Sequence, residues 1–219
     1  MSSIRNISAS NNMPVDLAKK LGKNGITELL SVMWLSYDDL YQDGIVSPDM
    51  GENEITQEWF IRISARWYRE NRASRVSLNL APITQYEDET LAKPKGQSPT
   101  IDFCFRAWEK SDGYFGAECK NLYHNDSKHI KRYVTTGVEN YTSGRYGSKS
   151  SVSSMVGYVL SGSIPDLVDA LRKEIAKTKP HMNLTQATGT QDAQYKSTHR
   201  RSLDDQEITL HHLFFNFVA

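Results

Sequence analysis

Two carboxylates and one amine stand out for their spacing. Glu118 and Lys120 lie two apart in FGAECK, and Asp102 lies 16 residues earlier in PTIDFCF. Both segments read as strands, TIDFCFRAWE from Thr100 to Glu109 and GYFGAECKNLY from Gly113 to Tyr123. A short turn at Ser111, Asp112 and Gly113 joins them, a hairpin signature. Period two puts Glu118 and Lys120 on one face, about 7 Å apart at their backbones. Ala117 and Cys119 take the other face, and Asp102 can reach the pair across the ladder. Charges gathered on an apolar sheet are costly to desolvate unless they compensate one another or a metal. The set suits phosphodiester hydrolysis. Carboxylates are hard oxygen ligands for Mg²⁺, which eases deprotonation of a bound water, and a compact ammonium can orient that water or stabilise charge on the phosphate.

The elements that must position these residues follow from periodicity. Ile26, Leu29, Leu30, Met33, Tyr37, Leu40 and Tyr41 predict a helix over 26–41 whose stripe Val32, Trp34 and Leu35 broaden, so it is expected to be deeply packed or to form a subunit contact. A second helix is expected from Thr56, as N-cap, to Glu70. Val76, Leu78 and Leu80 alternate in a strand expected to end at Pro82. After the hairpin, Ile130, Val134, Val138 and Tyr141 predict a helix over 127–142, then a Gly/Ser-rich loop, a buried strand over 155–160, a helix over 164–178 and a last strand over 208–217. Pro180 to Gln206 is polar and expected to be partly mobile. Helices around a mixed sheet predict an α/β domain. Residues 1–50 are expected to form a helical segment packed on the core or at a dimer interface, and 51–219 the domain proper.

Asp102 and the Glu118, Cys119, Lys120 triplet, with a helix before and a helix after, resemble the PD-(D/E)xK nuclease superfamily, the fold of many restriction endonucleases. The resemblance covers about residues 54–160, with Pro99 standing three before the Asp instead of adjoining it. It implies a restriction-endonuclease-like core in which Asp102 and Glu118 bind catalytic Mg²⁺, with Mn²⁺ as a substitute, and Lys120 is catalytic. A further acid on the preceding helix is implied, either Glu54 or Glu58. The THRR and HHLFFNF segments resemble uncharacterised members associated with bacterial restriction or phage defence. The implied function is a metal-dependent DNA endonuclease in such defence, acting as a homodimer, a larger assembly or with a partner subunit. The alternatives are a non-catalytic nucleic-acid-binding or assembly subunit of the same fold, and an RNA-directed nuclease. Asp126, Ser127 and Lys128 repeat the acid-x-Lys pattern without a strand around them.

Charge fits a local track for nucleic acid better than a global one, because 26 basic and 26 acidic side chains cancel. Tyr37 to Glu58 holds seven acids and no Lys or Arg, whereas 120–149 is basic. Tyr133, Tyr141, Arg145, Tyr146 and Lys149 follow the active strand and are candidates for DNA contact, the aromatics by stacking and Arg145 and Lys149 by phosphate contact. Arg200 and Arg201 join them, beside His199, in an expected surface turn. His211 and His212 point to opposite faces of a strand and cannot chelate one metal together. Cys104 and Cys119, without metal-ligand spacing, read as small core residues. No apolar run approaches the ~20 residues of a membrane span, and MSSIRNISASNNM lacks the apolar core of a signal peptide, so cytoplasmic residence is the expectation. No GxSxG, HExxH, Walker A or GxGxxG pattern occurs, which excludes serine hydrolase, zincin, NTPase and dinucleotide-binding readings.

Overall fold

In the computed structural model, residues 17–73, 80–88, 98–107, 113–178, 183–187 and 191–218 are described. The expected turn at Ser111 and Asp112, the strand over Val76–Leu78 and the N-terminal MSSIRNISASNNM lie outside them. The chain is an α/β fold: a seven-stranded mixed sheet flanked by helices on both faces. Helices α1 (Leu17–Gln42) and α2 (Glu52–Ala73) precede strands β1 (Ala81–Glu87), β2 (Thr100–Arg106) and β3 (Tyr114–Leu122). Next come α3 (Ser127–Arg132), a π-helical stretch (Tyr133–Val138), α4 (Glu139–Thr142), β4 (Val152–Val159) and α5 (Ile164–Thr178). Strands β5 (Thr185–Gln186), β6 (Gln194–Arg200) and β7 (Glu207–Asn216) finish the chain. The sheet order is β1-β2-β3-β4-β7-β6-β5, with β3, β4 and β7 parallel and the other pairings antiparallel.

Alternation along the central strands divides the core in two. Phe103, Phe105, Ala117, Cys119, Val156 and Phe215 pack under α1 and α2. Cys104, Leu122, Met155 and Phe214 pack under the π-helical stretch and α5, whose Leu167 and Leu171 are buried there. Most of the α1 stripe is used inside the chain: Leu29, Leu30, Val32, Met33, Trp34 and Leu40 are buried in the first layer, whereas Leu35 and Tyr41 are exposed. Left-handed Gly22 kinks α1 four residues before Ile26, where the expected helix began.

Three expectations are corrected. Thr56 is not an N-cap. The helix begins at Glu52, and Thr56 is buried inside it with its Oγ1 donating to the Glu52 carbonyl at 2.8 Å. The strand does not end at Pro82 but starts at Ala81 and runs through it. This is tolerated because β1 is the sheet edge, where a missing N–H leaves no neighbour unpaired. The segment before Gln206 contains β6, and His199 is a buried strand residue, not part of a surface turn. Among the described residues no helix is long and apolar enough to cross a membrane.

Candidate active site

The hairpin opens where the charged residues sit. Pairing of β2 with β3 runs from Arg106↔Tyr114 to Phe103↔Ala117 and then stops. On its other side β2 pairs Phe103 with Thr84 and Ile101 with Tyr86, and the register passes over Asp102 and the left-handed Gln85 opposite it (φ 48°). Asp102 thus stands at a break in both ladders. Its Oδ2 takes the Cys119 backbone N–H at 2.7 Å, in place of the strand partner that β3 has lost.

Glu118 and Lys120 share the face away from α1 and α2, as period two requires. The Lys120 ammonium donates to Glu118 Oε1 at 2.7 Å, to the Cys119 carbonyl at 2.6 Å and to Glu52 Oε1 at 3.2 Å, which uses all three of its protons. Glu52, the first residue of α2, also takes the Asn121 backbone N–H at 3.1 Å and the Arg132 guanidinium at 3.0 Å. Glu118 Oε2 and Asn121 Oδ1 are buried without a hydrogen-bond partner among the described residues.

The electrostatics leave the site short of positive charge. Burial pushes the Glu118 carboxyl up to about 8, and the neighbouring Asp102 charge adds to the effect while Lys120 opposes it. Burial also raises Asp102, against Lys120 and the Cys119 N–H. Lys120 goes up in spite of its burial because Glu118, Asp102 and Glu52 surround it. Two carboxyls that resist ionisation, one with an unused oxygen, are a donor set that a hard divalent cation would satisfy. Asp102 and Glu118 therefore fit Mg²⁺ or Mn²⁺. Among the described residues no group of three or more His, Cys, Asp or Glu side chains is already arranged to hold a metal ion. Magnesium does not demand one, since it keeps several waters and takes one or two carboxylates with substrate phosphate.

Other sequence-based candidates fall elsewhere. Glu54 reaches back to the Gly51 N–H at 2.7 Å, half of a capping box, and Glu58 pairs with Arg62 at 3.0 Å. The acid that α2 delivers is Glu52, which the late placement of the helix start hid. Gly51 followed three residues later by Glu54 was the available signal. Tyr133, Tyr141 and Tyr146 are buried and cannot stack on bases. Tyr141 instead donates to the Ser154 carbonyl at 3.2 Å and Tyr146 to the Thr100 carbonyl at 3.0 Å. Arg201 is buried too, donating to the Gly147 and Ser150 carbonyls at 2.7 and 2.9 Å, so it holds a loop and is not open to phosphate. Arg200 is exposed and paired with Asp205 at 2.9 Å. Arg145 is exposed and Lys149 half-buried, both in the loop following α4.

His212 faces the second core layer between Tyr133 and Ser197, whereas His211 faces the first, so the two rings are apart as expected. Cys104 and Cys119 are free, buried thiols. The repeated acid-x-Lys pattern has a local purpose: Asp126 caps α3 by accepting from the Lys128 and His129 N–H groups. No family model, curated protein or solved structure matches the chain.

Proposed function

We propose that the chain is a metal-dependent endonuclease of the PD-(D/E)xK type, with a restriction-endonuclease-like core and DNA as substrate. The observation that carries the reading is the convergence of Asp102, Glu118 and Lys120 at the opening of β2 from β3, with Glu118 Oε2 buried and unpartnered. The order α2, antiparallel β1-β2-β3, α3, then β4 parallel to β3 supports it.

Asp102 and Glu118 would hold Mg²⁺ or Mn²⁺, which when bound acidifies a water and offsets charge on the phosphate. The Cys119 N–H fixes one oxygen of Asp102 and leaves the other for the cation. Lys120 stays charged because three acceptors surround it, and Glu52 and the Cys119 carbonyl aim its ammonium beside Glu118. Glu118 Oε2 and Asp102 would hold the cation, while Lys120, held on Glu118 Oε1, would offset negative charge on a phosphate bound beside them. Arg145 and Lys149 are the proposed backbone contacts. A role in phage defence, and a homodimer or partner subunit, are part of the proposal through the family resemblance.

One observation favours a second reading. Lys120 already has a full set of acceptors, as in a closed structural ion cluster, which suits a non-catalytic binding or assembly subunit. Incubation of plasmid, single-stranded DNA and labelled RNA with Mg²⁺, Mn²⁺ or EDTA, beside Lys120→Ala, separates these. DNA cleavage with metal alone, reduced about 100-fold or more by Lys120→Ala, is expected. DNA binding in EDTA with no cleavage in any metal lane favours the subunit, and preferential loss of the RNA favours an RNA-directed nuclease.

A further inference from the structure

A groove of about 1040 Å³ lies between α1 and the β5-β6-β7 side of the sheet. It is remote from the hydrolytic cluster: in sheet order β3 and β4 lie between β2 and β7, and the groove opens on the opposite face. His211 alternates in step with Leu213 and Phe215 under α1, whereas Glu118 and Lys120 point away from that layer.

The floor of the groove is built from polar groups in fixed orientations. The Trp34 indole N–H donates to Gln194 Oε1 at 2.9 Å, and Gln194 is only 2% exposed. That bond turns the Gln194 amide nitrogen toward His211 Nδ1, 3.4 Å away. Burial, with nearby Lys196, holds His211 down at about 4, so the ring is neutral near pH 7. Its Nδ1 then accepts from Gln194, and the ring proton sits on Nε2 as a donor. Lys23 and Lys196 line the same groove, both exposed, and among the described residues no carboxylate does. Arg62, Arg66 and Arg172, by contrast, are each tied to an acid. Ile26, Leu30 and Leu35 supply an apolar wall along α1. Two ammonium groups, an oriented polar floor and an apolar wall in a space of this size match a ligand with an anionic end and a flat, polar-edged ring.

We propose that this groove is a second binding site, for a nucleoside phosphate, with its phosphate at Lys23 and Lys196 and its ring between the α1 wall and the Gln194–His211 floor. The site is independent of the hydrolytic reading. Calorimetric titration of the full chain in EDTA with AMP, GMP, CMP and UMP, and with adenosine and inorganic phosphate, tests it. At least one nucleotide is expected to bind ten-fold or more tighter than phosphate or adenosine. Lys196→Glu and Lys23→Glu are each expected to weaken it ten-fold or more, and Asp102→Asn to leave it unchanged. Both lysines are exposed, so a melting temperature equal to wild type is the expected check on folding. No nucleotide binding at millimolar concentration, phosphate binding as tightly as every nucleotide, indifference to both lysine changes, or loss through Asp102→Asn would each overturn the proposal.

Discussion

Glu118 is held where its own charge is poorly tolerated, and that has a consequence for pH. In the unfolded chain its carboxyl ionises through the ordinary range near 4.5, whereas folded it keeps its proton to about 8. Between those values the folded state binds more protons than the unfolded state, so stability falls as pH rises. The contribution is fully present below the ordinary value and is lost as pH climbs through the folded one. Metal-free protein is thus expected to melt at progressively lower temperature from roughly pH 5 to pH 8, with a shallower fall in Glu118→Gln and partial recovery on adding Mg²⁺. An identical pH profile for the two proteins would remove Glu118 as the cause. Glu52→Ala takes one acceptor from Lys120 and one from the Asn121 N–H, and is expected to cost about 1–3 kcal/mol in urea unfolding and to reduce cleavage. At this scale strand alternation made the Glu118 and Lys120 pair readable, while Asp102 reaches them at a break in the ladders, fixed by the Cys119 N–H, which the sequence did not show. It misled for Tyr141 and Arg201: a polar or cationic side chain was read as surface, and only the fold shows that backbone carbonyls take up its donors.

Elements divide in the same way. Helices α1 to α3 and strands β2, β3, β4 and β7 follow apolar periodicity and were legible. Strand β6 was not, because its buried face carries Ser197 and His199 along with Tyr195. Ser197 Oγ lies 2.7 Å from His212 Nε2, and Tyr133 Oη 2.9 Å from His212 Nδ1, so hydrogen bonds replace the apolar alternation that marks a strand in sequence. The Gly/Ser-rich loop after α4, readable as a flexible connector, is fastened from two sides. Gly147 N–H is shared by Asp88 and the Tyr114 hydroxyl, at 2.9 and 2.7 Å, while Arg201 holds the carbonyls of Gly147 and Ser150. Arg201→Ala leaves those carbonyls and Asp204 without their partner and is expected to cost about 2–4 kcal/mol, read from denaturant midpoints. Arg200→Ala, whose pair with Asp205 is exposed, is expected to change stability by less than about 1 kcal/mol.

Across the whole molecule the zero net charge conceals pairing more than polarity. The acids before α2 are partly spent on its arginines, Asp43 with Arg62 and Asp39 with Arg66, so that region is less negative than its composition suggests. Of the four cations expected at DNA, Arg145, Lys149, Arg200 and Arg201, burial of Arg201 and pairing of Arg200 leave Arg145 and Lys149 as the proposed phosphate contacts. DNA affinity is therefore expected to fall gently with salt, with a log–log slope of about −2 for two phosphates; a slope several times steeper would require contacts elsewhere. The central claim is that Asp102 and Glu118 form a divalent-cation site, and it can be tested without a substrate or an activating partner. Calorimetric titration of Mn²⁺ into wild type, Asp102→Asn and Glu118→Gln is the direct measurement. Saturable binding in the wild type that each substitution weakens ten-fold or more is the expected result, while no binding in the wild type, or equal affinity in all three, would contradict it.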